Sequence, residues 1–129
     1  YADNFAMSLN DIVSFCISRG VIPVVSTIPP RLDDPVKGAR VARFNAIIIA
    51  IAQKNHIPLW NYWLALQSPD MINYGLSGDG VHPSVYKNTL SADFSSDGLR
   101  YGYNQRNLTA LQVLDHIRRV VLMDGPPDP

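Results

Sequence analysis

Helix-period and strand-period segments alternate through the first half of this chain with almost no linker between them, which leaves few folds open to it. Asp3 or Asn4 can cap a first helix whose Phe5, Leu9, Ile12, Val13 and Cys16 share one face. Arg19-Gly20 then supplies the cation and glycine that stop it. Val21–Thr27 follows at once, a β-branched run expected to form a strand buried on both faces, with Pro23 tolerable near its start. Ile28 to Pro35 is a loop. A second helix is expected from about Val36 to Asn55, with Val41, Phe44, Ile47, Ile48 and Ile51 inward and Lys37, Arg40 and Lys54 outward. His56-Ile57-Pro58 breaks it, and Leu59–Trp63 reads as another short strand. This order points to an α/β fold, a parallel sheet with helices on its faces. Two parallel strands cannot cover their own faces and edges, so these residues are expected to be part of a larger unit.

The second half is less periodic. Tyr86 to Gly102 is polar and turn-rich and reads as a long loop. A last helix is expected from Asn104 or Asn107, with Leu108, Leu111, Leu114, Ile117 and Val121 buried and Arg118 and Arg119 suited to its C-terminal end. Asp124-Gly125-Pro126-Pro127 would end it. Residues 1–129 thus read as part of one domain, with a polar insertion at 85–103 and a tail at 122–129. The apolar fraction of 47% can furnish a core. A net charge of zero with no basic stripe argues against nucleic acid as partner. No apolar run approaches the ~20 residues of a membrane-spanning helix. Tyr1 begins the chain without the charged start and apolar run of a secretory signal. The single Cys16 permits no internal disulfide. All eleven acidic residues are aspartates, so any catalytic carboxylate must be one.

Asp79-Gly80-Val81-His82-Pro83-Ser84 is the stretch with the clearest chemistry. It sets a carboxylate three residues before an imidazole, on a turn that Gly80 permits and Pro83 stiffens. An aspartate held there can accept the Nδ1 proton of His82, leaving Nε2 to take a proton from a nucleophile. The alternative is that Asp79 and His82 simply close a surface turn.

The stretch resembles the last conserved block of the SGNH/GDSL hydrolases, serine esterases and acyltransferases. The resemblance extends to element order: Val21–Thr27, Pro29-Pro30-Arg31, Phe44-Asn45, Leu59–Trp63, then Asp79 to His82. It implies a three-layer α/β/α sandwich of flavodoxin-like type, of which this chain is the C-terminal part. It also implies Asp79 and His82 as two members of a Ser-His-Asp triad, with Pro30, Arg31 and Val81 beside the substrate. A small-molecule or carbohydrate ester is the implied substrate, no cofactor or metal is required, and a secreted or extracytoplasmic setting is favoured. The family's Gly-Asp-Ser-Leu-like element and its Gly-x-Asn-Asp element have no counterpart here, and Asn4 is not assigned to an oxyanion hole. The nucleophile and oxyanion donors are therefore expected from the N-terminal part of the same domain. Relative to the family, 85–103 is an insertion, either a lid or pocket wall or an unordered excursion.

Two other readings remain open: a binding or structural domain that keeps the fold without a working nucleophile, and a nucleophile within this chain, Ser26 or Ser84. Ser84 lies too near His82 along the backbone for comfortable triad geometry. His56 is expected to pair with a helix C-terminus and His116 to face solvent. Neither Asp33-Asp34 nor Asp93 with Asp97 has calcium-loop spacing. Trp60, Tyr62 and Trp63 are expected in the core, and Asn107-Leu108-Thr109, though a glycosylation sequon, is better read as a helix cap.

Overall fold

In a computed structural model of the chain, described here for residues 1–122 (the side chain of Leu122 excepted), the elements are α1 (Ala2–Ser18), β1 (Val25–Ser26), α2 (Pro35–Lys54), β2 (Leu59–Trp60), α3 (Tyr62–Ala65) and α4 (Gly102–Ile117). A π-helical turn, Arg118–Leu122, extends α4, and the expected stop at 124–127 and most of the tail lie outside the described residues. The architecture is helix-rich and mixed, with a small two-stranded parallel sheet, compatible with an α/β fold. Val25 pairs with Leu59 and Ser26 with Trp60, in the expected parallel sense.

The pleat decides what each strand residue meets. Val25 and Leu59 point into a cluster with Val13 of α1 and Ile48, Ile51 and Ala52 of α2. Fully burying such side chains contributes roughly 1.5–3 kcal/mol apiece. Phe5 and Phe44 meet edge-on at 4.9 Å and join the two helices. On the other strand face, the Trp60 indole N–H donates to the Thr109 hydroxyl of α4 at 2.9 Å.

α2 forms almost as expected. Asp34 caps it, accepting from the Val36 and Lys37 amides, and Pro35 occupies the first turn, where no intrahelical donor is needed. α1 ends as expected, with Gly20 at φ +72° and the Val21 amide bonded back to Cys16 O at 3.0 Å. α2 ends by the same device with a histidine in the glycine's place. His56 is exposed at φ +51°, and Ile57 N reaches Ala52 O at 3.1 Å.

Several expectations need correction. α1 begins at Ala2 behind Tyr1, so Asp3 and Asn4 lie inside the helix and cap nothing. The first strand is confined to Val25–Ser26 and is not covered on both faces, since Val21, Ile22 and Val24 are exposed. The second stops at Trp60, because the Asn61 side chain accepts from Leu64 N and turns Tyr62 and Trp63 into a helix. Tyr62 is nonetheless buried, its hydroxyl donating to Gly102 O at 3.0 Å. In the last helix Leu111, Leu114 and Val121 are exposed, because no described element packs over that side. Ile12 of α1 is exposed as well.

Of the expected 85–103 insertion, 85–101 is a loop with two 3₁₀ turns, Tyr86–Asn88 and Gly98–Arg100, while Gly102 and Tyr103 already belong to α4. α4 holds it from within. Asn104, fully buried, donates to Leu90 O at 2.6 Å and to Asp93 O at 2.9 Å, and Asn107 donates to Ser91 O at 2.9 Å. Neither asparagine is the helix cap, a place taken by Tyr101.

Candidate active site

Asp79 and His82 lie on a tight hairpin. Leu76 and Pro83 form an antiparallel bridge, Ser77 N donates to His82 O at 2.8 Å, and Gly80 N donates to Ser77 O at 3.0 Å. Gly80 sits at φ +71°, and a Cβ there would lie 2.9 Å from Asp33 N, so only glycine fits both the turn and the strand of loop against it. That loop is the one containing Pro29-Pro30-Arg31. Leu32 N donates to Gly80 O at 2.8 Å, bringing the segment beyond the carboxyl end of β1 against the hairpin, where open α/β sheets carry their sites.

The imidazole Nδ1 of His82 and Oδ2 of Asp79 are 2.6 Å apart. The other carboxylate oxygen, Oδ1, accepts from the Ser77 hydroxyl at 2.7 Å and from the Val81 and His82 amides, both at 3.0 Å. The Ser77 hydroxyl first, then His82 and the two amides, hold the Asp79 carboxyl well below the usual carboxylate range. A charged Asp79 requires the proton on Nδ1 and so places the lone pair of a neutral His82 on Nε2. Nε2 makes no hydrogen bond among the described residues, and the His82 side chain is 74% exposed.

Of the residues expected beside the substrate, Val81 is half-buried in this turn and Pro30 is half-buried in the loop whose Leu32 meets it. Arg31 is brought close along the chain, but its guanidinium is engaged by Asp33, at 2.7 and 3.0 Å. That pairing raises the Arg31 pKa and lowers that of Asp33. Pro30, Arg31 and Leu32 line a groove of about 490 Å³ with Gly38, Val41 and Trp63, directed toward α2. The loop itself is anchored by Asn45, buried on α2, which accepts from Ile28 N at 2.8 Å and donates to Ile28 O at 3.0 Å.

Neither internal serine considered as a nucleophile meets His82. Ser26 Oγ donates to Thr27 O at 2.9 Å, while Ser84 Oγ donates to Gly75 O and accepts from Gly102 N. His56 and His116 are exposed and, among the described residues, form no pair with an aspartate. No group of three metal-ligating side chains occurs among the described residues. Ser77 is the participant that sequence reasoning overlooked. Its signal was present in the Ser-x-Asp-Gly order, where a hydroxyl two residues before an aspartate can reach it across a turn. Set against models of protein families, against curated proteins and against solved structures, the chain matches none.

Proposed function

We propose that this chain carries the aspartate and histidine of a Ser-His-Asp triad and belongs to a carboxylic ester hydrolase acting on a small-molecule or carbohydrate ester. The observation that carries the reading is the 2.6 Å contact from Asp79 to His82 Nδ1 with Nε2 left unbonded. In the acylation step His82 Nε2 takes the proton of a serine hydroxyl as its oxygen attacks the ester carbonyl. The imidazolium then gives that proton to the departing alkoxide, and the cycle repeats with water to release the acid. Asp79 keeps the tautomer and stabilises the imidazolium. In this reading the serine and the oxyanion donors are supplied from outside these 129 residues, and Ser26 and Ser84 are engaged away from Nε2.

The finer fold reading, a three-layer sandwich of flavodoxin-like type, belongs to the same proposal. It is supported by α1 and α2 packing on the Val25 and Leu59 face while Trp60 turns to α4. Among the described residues β1 has a single strand partner, and the exposed Val24 immediately precedes it, which is consistent with further strands beside it.

The test is hydrolysis of a short p-nitrophenyl ester by the full-length protein, with fluorophosphonate labelling of its serine. His82→Ala should lower kcat by roughly 10⁴-fold or more. The 129 residues alone should be silent. Undiminished turnover in the His82→Ala protein would remove His82 from the mechanism.

A further inference from the structure

We infer that Ser77 is a positioning residue of this site: its hydroxyl occupies Oδ1 of Asp79 and so aims Oδ2 at His82 Nδ1. The catalytic consequence rests on the hydrolase reading; the positioning itself does not.

The Asp79 side chain is half exposed. The torsion that rotates the two oxygens is broad and two-fold, so hydrogen bonds must choose. Oδ1 takes three donors and Oδ2 takes only the imidazole. Two of the three, the Val81 and His82 amides, are what any aspartate finds in such a turn, and they approach from the residues after it. Ser77 approaches from the other arm of the hairpin, with the shortest bond to Oδ1, 2.7 Å against 3.0 Å for each amide. Its own amide is bonded to His82 O at 2.8 Å, and its hydroxyl lies 3.0 Å from that same carbonyl oxygen. Ser77 and His82 are therefore partners across one rung, and the carboxylate is held between the hydroxyl of one and the imidazole of the other. A hydroxyl donating to a charged acceptor is among the stronger bonds available at an exposed site.

The experiment compares Ser77→Ala and Ser77→Thr in the full-length protein. Titration of the Asp79 carboxyl carbon by NMR should move upward in Ser77→Ala and stay near the native midpoint in Ser77→Thr, which keeps the hydroxyl. The His82 Nδ1 proton should exchange faster with solvent in the alanine variant only. On a p-nitrophenyl ester, kcat should fall on the order of tenfold in Ser77→Ala with KM unchanged, the mark of an interaction acting on chemistry and not on binding. An Asp79 midpoint and a His82 Nδ1 proton both unchanged in Ser77→Ala would overturn the positioning role, whatever the activity. Loss of the hydrolase reading would show differently: native-level turnover in His82→Ala, with the Asp79 titration still responding to Ser77.

Discussion

Asp79 draws its donors from its own turn, which makes it a charge that folding stabilises without burying it. Three bonds fall on Oδ1 and one on Oδ2, and together they favour the ionised form over the protonated one. Its folded pKa is therefore below the unfolded value of ~3.9. A depressed carboxylate pKa contributes stability that is fully present above the unfolded pKa and is lost as pH falls through the folded one. Asp79→Asn, which keeps an acceptor but not the charge, should thus unfold at lower temperature than the native protein at pH 7. The gap should narrow at about pH 3, where the unfolded chain has taken up the proton. Thermal melts at the two pH values measure this, and an equal gap at both would mean the charge adds nothing. His56 shows a different residue-scale compromise, a histidine in a left-handed helix stop where a glycine would be unstrained.

At the scale of elements, the 85–101 loop depends on α4 more than on its own turns. Asn104 satisfies two loop carbonyls with its amide, and its oxygen accepts from Tyr86 N at 3.4 Å, all from a fully buried position. Asn104→Ala leaves those groups without partners inside the protein, which should cost about 1–3 kcal/mol. The loss should be local. Hydrogen exchange should accelerate across 86–100 while the α2 core amides keep their protection. Equal acceleration in both would show that the loop and the core open as one unit. The same logic links β1 to α2: Asn45 pairs both backbone groups of Ile28, doing for the loop what a neighbouring strand would do for a sheet.

The whole molecule has a well-packed centre and apolar side chains exposed on its flanks. Val13, Ile48, Ile51 and Ala52 are buried around β1 and β2, yet Ile12, Phe15, Val21 and Ile22 are exposed at 59%, 61%, 55% and 46%. Among the described residues β1 has one strand neighbour, so its other edge offers backbone donors and acceptors next to apolar side chains. With zero net charge, no long-range repulsion opposes association. The 129 residues by themselves should therefore associate as concentration rises, and Val24→Lys, a charge on the open edge, should suppress it. Static light scattering over a concentration series is the check. Identical scattering from the two proteins would place the contact elsewhere.

What the sequence alone determined about this protein was local. The Asp34-Pro35 start of α2, its apolar stripe, the Gly20 stop and the three-residue reach from Asp79 to His82 each depend on residues within a turn or two. The parallel pairing also followed, since a helical crossover between two adjacent strands leaves them running the same way. The tertiary structure decided what distant partners decide. Leu59–Trp63 read as a strand throughout, but the Thr27 hydroxyl, 34 residues away, donates to Asn61 Oδ1 and also accepts from Trp63 N, fixing a helix there instead. Asn104 and Asn107 looked like caps, and became clamps because the carbonyls of Leu90, Asp93 and Ser91 arrived beside them. An amide side chain is indifferent to whether its partner is a helix end or a passing loop, and only the fold supplies the partner.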